Sequence, residues 1–212
     1  DVPTMGRCAP PPTTPCDGSG TGPGPLNEHT AGYFEDRKEM IIVGGNTAVP
    51  VECGFPAWVY QSQTWIYYDY EGECGERWVS VAGPGPSARG RHAGATAGDS
   101  YYVHGGRFRA DGASSGSYTV LDDFWRFDAA TRTWSEVTAA GVTPPGRYNA
   151  TLSYDPAGNK LWLFGGNASA SGASPVVLED LWSYDIATNV WTEHDATGPS
   201  GRMWHAAAVD TS

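Results

Sequence analysis

The feature that most constrains this chain is a segment that recurs along it. Asp122-Asp-Phe-Trp-Arg-Phe-Asp-Ala-Ala-Thr-Arg-Thr-Trp134-Ser-Glu-Val aligns without a gap on Glu179-Asp-Leu-Trp-Ser-Tyr-Asp-Ile-Ala-Thr-Asn-Val-Trp191-Thr-Glu-His. A second element, an apolar run ending in a glycine pair, appears three times, as Met40 to Gly45, Tyr101 to Gly106 and Leu161 to Gly166. The glycine pairs lie 61 and 60 residues apart, and the outer tryptophans Trp78, Trp134 and Trp191 lie 56 and 57 apart. A third element precedes each apolar run: Arg89-Gly-Arg-His92, Arg147-Tyr-Asn-Ala150 and Arg202-Met-Trp-His205. His29 holds the matching place in the first copy, but no Arg precedes it by three. A period of this size marks an array of similar units, none of which can bury its apolar face alone.

Each unit reads as four short strands. Runs of four to eight β-branched and aromatic residues, bounded by Gly, Pro, Asp and Asn, are strand signals. The first strand is small and apolar, as in His92-Ala-Gly-Ala-Thr-Ala, and the second runs into Gly-Gly. The third is Trp-x-Phe/Tyr-Asp, and the fourth begins at the outer Trp. Asp155-Pro-Ala-Gly-Asn predicts a turn between strands one and two, and Ala130-Thr-Arg and Ala187-Thr-Asn predict tight turns between strands three and four. The connection from strand two to strand three is long and variable, over roughly 46–63, 107–120 and 167–178. With 28 Gly and 16 Pro against nine Trp and eleven Tyr, a helical bundle is disfavoured.

These residues resemble kelch repeats, whose marks are the glycine pair, the aromatic-Asp strand end and the Trp about six residues later. The resemblance covers about residues 26–212. It implies an all-β, kelch-type β-propeller with about three four-stranded blades plus the first strand of a fourth. The expected units are 1–25, a Pro/Gly/Thr-rich arm containing cysteine; 26–82, 83–139 and 140–196, three blades; and 197–212, the start of a fourth. Propellers close at typically four to eight blades, so the expectation is that these blades are part of a larger ring, completed by further chain or by another chain.

The resemblance also implies that strand-one starts and the second-to-third connections face one mouth. Candidate binding residues there are Arg89, Arg107, Arg109, Arg147, Arg202, Asn46 and Asn167. The arginines before strand one admit two readings: ties between neighbouring blades near the axis, or donors to an anionic ligand. Tyr101, Tyr102, Tyr118 and Trp58 are weighed as stacking platforms for sugar rings. A copper-radical site needs His ligands, an axial Tyr and a Cys–Tyr crosslink, but His29, His92 and His205 occupy equivalent repeat positions, which gives them a structural explanation. Neither metal nor cofactor is expected, and no Gly-x-Ser-x-Gly nucleophile elbow is present.

Charge and cysteine complete the expectations. The net charge of −11 is spread along the chain, which suits a solvated surface and disfavours nucleic acid as a partner. No apolar run approaches the length of a membrane span. Cys8, Cys16, Cys53 and Cys74 lie in loop sequence without a CxxC pair, which favours disulfides of open connectivity and an extracellular or lumenal location. Asn149-Ala-Thr and Asn167-Ala-Ser fit the glycosylation sequon, making Asn149 and Asn167 candidate acceptors. The function so predicted is a non-catalytic protein- or glycan-binding or assembly module of an extracellular or cell-surface kelch-repeat protein. The alternatives are the propeller portion of a carbohydrate-active or copper-radical oxidase-like enzyme, and a structural subunit of a filament or wall.

Overall fold

A computed structural model describes residues 22–49, 57–68, 77–110, 116–171, 174–195 and 197–210. All regular elements among them are strands. The first blade is β1 (Thr30–Phe34), β2 (Glu39–Val43), β5 (Thr64–Tyr68) and β6 (Arg77–Ser80), hydrogen-bonded in that order. The second is β7 (Ala93–Ala97), β8 (Ser100–His104), β11 (Phe124–Asp128) and β12 (Thr133–Glu136). The third is β13 (Thr151–Asp155), β14 (Lys160–Phe164), β15 (Leu181–Asp185) and β16 (Val190–His194). All pairings are antiparallel, and β1, β7 and β13 lie against one another on the inside. Residues 197–210 dock on the third blade without forming a strand.

The turn signals act as read. The Asp128 carboxylate accepts from the amides of Ala130 and Thr131 at 3.0 and 2.9 Å. Asp185 does the same for Ala187 and Thr188 at 3.1 and 2.9 Å. These bonds replace backbone partners that the reversal removes. They also hold both carboxyls below the ordinary carboxylate value.

The core lies between blades. One cluster joins Phe34, Ile41 and Ile66 of the first blade to Tyr101, Phe127 and Trp134 of the second. The other joins Ala95, Tyr102 and Phe124 to Leu161, Tyr184 and Trp191 of the third. Trp134 and Trp191 therefore each fill the seam with the preceding blade, and the Trp134 indole donates across it to Thr64 Oγ1 at 3.0 Å. Flat aromatic plates suit such a seam because they bury a large area with few rotatable bonds.

The second-to-third connections contain structure that the repeat did not predict. A hairpin of β3 (Asn46–Val49) and β4 (Ala57–Tyr60) rises from the first blade, and one of β9 (Arg107–Phe108) and β10 (Thr119–Val120) from the second. In the third, Asn167 bridges Val177, and Ala168 N donates to Val176 O at 2.9 Å. Val43 pairs with both Thr30 and Thr64, and the registers of the other blades match it. All three hairpin bases and all strand-one starts therefore share one face, the mouth.

Candidate functional site: the mouth of the blades

The mouth is built on the glycine pairs. Gly105 and Gly106 have φ of 64° and 104°, and Cβ atoms there would lie 2.5 Å from Arg147 O and 2.9 Å from His92 Cβ. Only glycine fits that backbone and that spacing. The close approach allows a backbone hydrogen bond from each blade to the next. Gly45 N donates to Arg89 O, Gly106 N to Arg147 O and Gly166 N to Arg202 O, each at 2.8 Å.

The same arginines use their side chains within their own blade. Arg89 is fully buried. Its Nη1 donates to Gly105 O at 2.9 Å and Asp123 Oδ1 at 2.6 Å, its Nη2 to Asp123 Oδ2 at 2.6 Å and Ser87 Oγ at 3.0 Å, and its Nε to Ser87 O at 2.9 Å. All five donors are thus used. Arg147 repeats the pattern on Gly165 O, both oxygens of Asp180, and Pro145 O. Burial pushes Asp123 and Asp180 up, and the paired guanidinium more than offsets it, so both carboxyls sit below the ordinary value. The tie reading holds in the backbone, while the side chains lock strands two and three of one blade. The first blade has Leu26 and Gln63 at the equivalent places, so both members of the pair change together. Arg202 makes the Nε bond, to Ser200 O at 3.1 Å, and is exposed.

A second group supports the hairpins. Glu28 accepts from Arg91 Nε, from Arg107 Nη2 at 3.1 Å and from Asn46 Nδ2 at 2.9 Å. Arg107 lies with Cζ 3.9 Å from the Tyr118 ring centre and 5.1 Å from that of Tyr148, and Arg109 lies 4.5 Å from Tyr118 on its own account. Asn167 donates to Tyr148 Oη at 2.8 Å and accepts from Ser169 N and Val176 N at 2.9 and 3.0 Å. Asn46, Arg107 and Asn167 are buried, Arg109 is partly exposed.

Three expectations change as a result. Arg89, Arg147, Arg107, Asn46 and Asn167 are buried beneath the mouth; the donors of Arg89 are all used within the blade, whereas Arg107 Nε and Asn46 Oδ1 are left without a hydrogen-bond partner. Asn167 is a poor glycan acceptor because its amide nitrogen is buried and engaged, and the Asn149 amide nitrogen is buried as well. Tyr101 and Tyr102 are core residues, which removes them as stacking platforms. Trp58 stays exposed on β4. Cys8, Cys16, Cys53 and Cys74 lie outside the described residues.

The repeat concealed a third set. Glu28, Arg91, Asn149 and Trp204 follow one another at equal positions, all with left-handed backbone at φ of 61°, 58°, 58° and 58°. They form an amide chain around the axis: Arg91 N to Glu28 O at 2.8 Å, Asn149 N to Arg91 O at 2.8 Å, and Trp204 N to Asn149 O at 3.3 Å. Their side chains line a cavity of about 390 Å³, shared with His92 and His205. The His rings reach inner-strand threonines, His92 Nε2 lying 2.6 Å from Thr30 Oγ1 and His205 Nε2 3.0 Å from Thr151 Oγ1. The signal was available as the residue two beyond each Arg, or two beyond Leu26 in the first copy, but four different side chains stand there. Among the described residues, no group of three His, Cys, Asp or Glu side chains is placed to hold a metal ion.

Residues 12–212 match the family model for the KLHDC2/KLHL20/DRC7 Kelch-repeats domain. The chain is similar to Kelch domain-containing protein 2 of Bos taurus, at 35% identity over 61% of this chain and 29% of that one. It is also similar to N-(sulfonatooxy)prop-2-enimidothioate sulfolyase of Thlaspi arvense, at 32% identity over 63% of this chain and 37% of that one. It therefore spans well under half the length of either relative. The solved structure titled "Structure of YjhT" superposes with a TM-score of 0.61 at 16% identity, over 86% of this chain and 55% of that one, which speaks to the fold alone.

Proposed function

Because the chain belongs to the kelch-repeat family, we propose that it is a non-catalytic interaction module that binds a protein at the mouth. One observation carries this reading. The blades are built from repeated residues, whereas the three second-to-third connections on the mouth differ in sequence, and the first and third of them present exposed apolar groups. Trp58 is 38% exposed, Val176 55% and Val177 39%. Variable loops on a rigid scaffold are where binding surfaces concentrate. A photo-crosslinking residue in place of Trp58 or Val176 should give adducts with a protein, and one in place of Ala157, on the opposite face, should not. Equal adducts from both faces would remove the reading.

A second reading, the propeller portion of an enzyme, draws on the relative named a sulfolyase. Glycan binding keeps only Trp58 and Tyr118 of its four original platforms. The module is further proposed to sit outside the cytosol, on the strength of four cysteines in Gly/Pro-rich or polar sequence. Alkylation without reductant should modify none of them; four modified thiols would overturn that location.

A further inference from the structure

We propose that the outer end of the seam between the second and third blades holds a primary ammonium group on a short alkyl stem. The site is separate from the axial cavity and does not rest on the protein-binding reading. A cavity of about 250 Å³ opens where β12 leaves the second blade. Clefts that enclose a whole drug-sized ligand run to about 300–1,000 Å³, so this one suits a small group. Its charge is of one sign. Asp122, Asp123 and Glu136 line it, and no Lys or Arg does. Asp123 is neutralised by Arg89, whose Nη2 lies 2.6 Å from Oδ2. Asp122 and Glu136 are exposed and pair with no cation among the described residues, which leaves two negative charges on the wall.

Carboxylates alone are ordinary surface, and His104 is what makes this wall a site. His104 lines the same cavity, is 1% exposed, and has no hydrogen-bond partner on either ring nitrogen. Its ring centre lies 6.1 Å from that of Phe124 and 5.8 Å from that of Trp191, and both of those residues also line the cavity, so the imidazole forms part of the floor. Burial above all keeps it neutral, so one ring nitrogen is an acceptor. A buried acceptor left unmade is costly, and an ammonium N–H entering past the two carboxylates satisfies it. No three of the His, Cys, Asp and Glu side chains among the described residues are placed to hold a metal ion, which favours a cation that binds through several separate N–H donors. Val137, Ala139 and Pro144 offer apolar wall for the stem. The seam between the first two blades supplies a comparison. There Ser62 and Val43 hold the places of Asp122 and His104, and the cleft has no charged lining.

Nuclear magnetic resonance titration of the isotope-labelled chain at neutral pH tests this, with the Trp191 indole N–H as reporter and n-butylammonium chloride as probe. The indole signal should shift saturably with butylammonium and stay in place with n-butanol at matched ionic strength. Glu136→Gln and Asp122→Asn, both at exposed positions, should each weaken the affinity by about two- to fivefold, the span of an exposed ion pair. His104→Phe, which installs the residue that the third blade carries at Phe164, should weaken it at least as much. Equal shifts with butanol, no shift with butylammonium, or an affinity unchanged in the two carboxylate variants would overturn the assignment. Binding of Nα-acetyl-lysine amide as tight as that of butylammonium assigns the site to a lysine side chain of another protein. Its exclusion, with putrescine still held, assigns the site to a free amine.

Discussion

The Arg89–Asp123 pair shows how far a single residue depends on a distant one. Arg89 has no exposure, and Asp123 satisfies two of its five donors. Removing one member of a buried pair strands the other's charge, whereas replacing both by groups that fit is far milder. Asp123→Ala should therefore cost about 3–5 kcal/mol in urea unfolding. The first blade supplies its own control, because Leu26 and Gln63 occupy the same two places. The double variant Arg89→Leu with Asp123→Gln should lose much less than Asp123→Ala alone. A double variant as unstable as the single one would mean that the pair is not a separable unit.

At the scale of elements, the outer tryptophans divide by what stands beside them. Trp134 is 8% exposed, wedged between two blades, with Gly85 so close beneath it that a Cβ there would lie 2.9 Å from the ring. Trp78 stands on the outer strand of the first blade and is only half-buried. Trp134→Ala should cost about 3–5 kcal/mol by leaving a cavity in the seam, and Trp78→Ala clearly less. Equal losses would show that the seam is not what the plates stabilise. The blade strands were legible because their signals are local and recur: alternating aromatics, Gly-Gly, and Asp before a tight turn. The hairpins at the mouth were not, since β9 and β10 are two residues each and owe their pairing to the packing of Arg107 and Tyr118. The role of Arg89 stayed open for a related reason: its partner lies 34 residues away, and only the fold brings them together. The axial residues escaped notice because a repeat is found by sameness, and these positions hold Glu, Arg, Asn and Trp.

For the whole molecule, stability is held in the seams, and two histidines make it depend on pH. Burial, reinforced by the Arg89 charge and His29 and opposed by Asp123, lowers His92 to about 3. Burial, reinforced by Arg147 and Arg89 and opposed by Asp123 and Asp180, lowers His104 to about 3. Both rings are therefore neutral in the folded state, while in the unfolded chain each titrates near its ordinary value of about 6.5. A folded value below the unfolded one means that acid favours unfolding. The contribution is complete above about pH 6.5 and is lost as pH falls from there toward 3, by up to about 1.4 kcal/mol per pH unit for each ring. His104 isolates the effect. Neither of its ring nitrogens has a hydrogen-bond partner, and the ring packs edge-on against Trp191 with centres 5.8 Å apart. The third blade carries Phe164 at the equivalent place, so His104→Phe should fit the seam. Melting temperatures measured from pH 7.5 down to 4.5 should fall for the unaltered chain and fall less steeply for His104→Phe. An unchanged slope in that variant would show that His104 is not held neutral in the seam between the second and third blades.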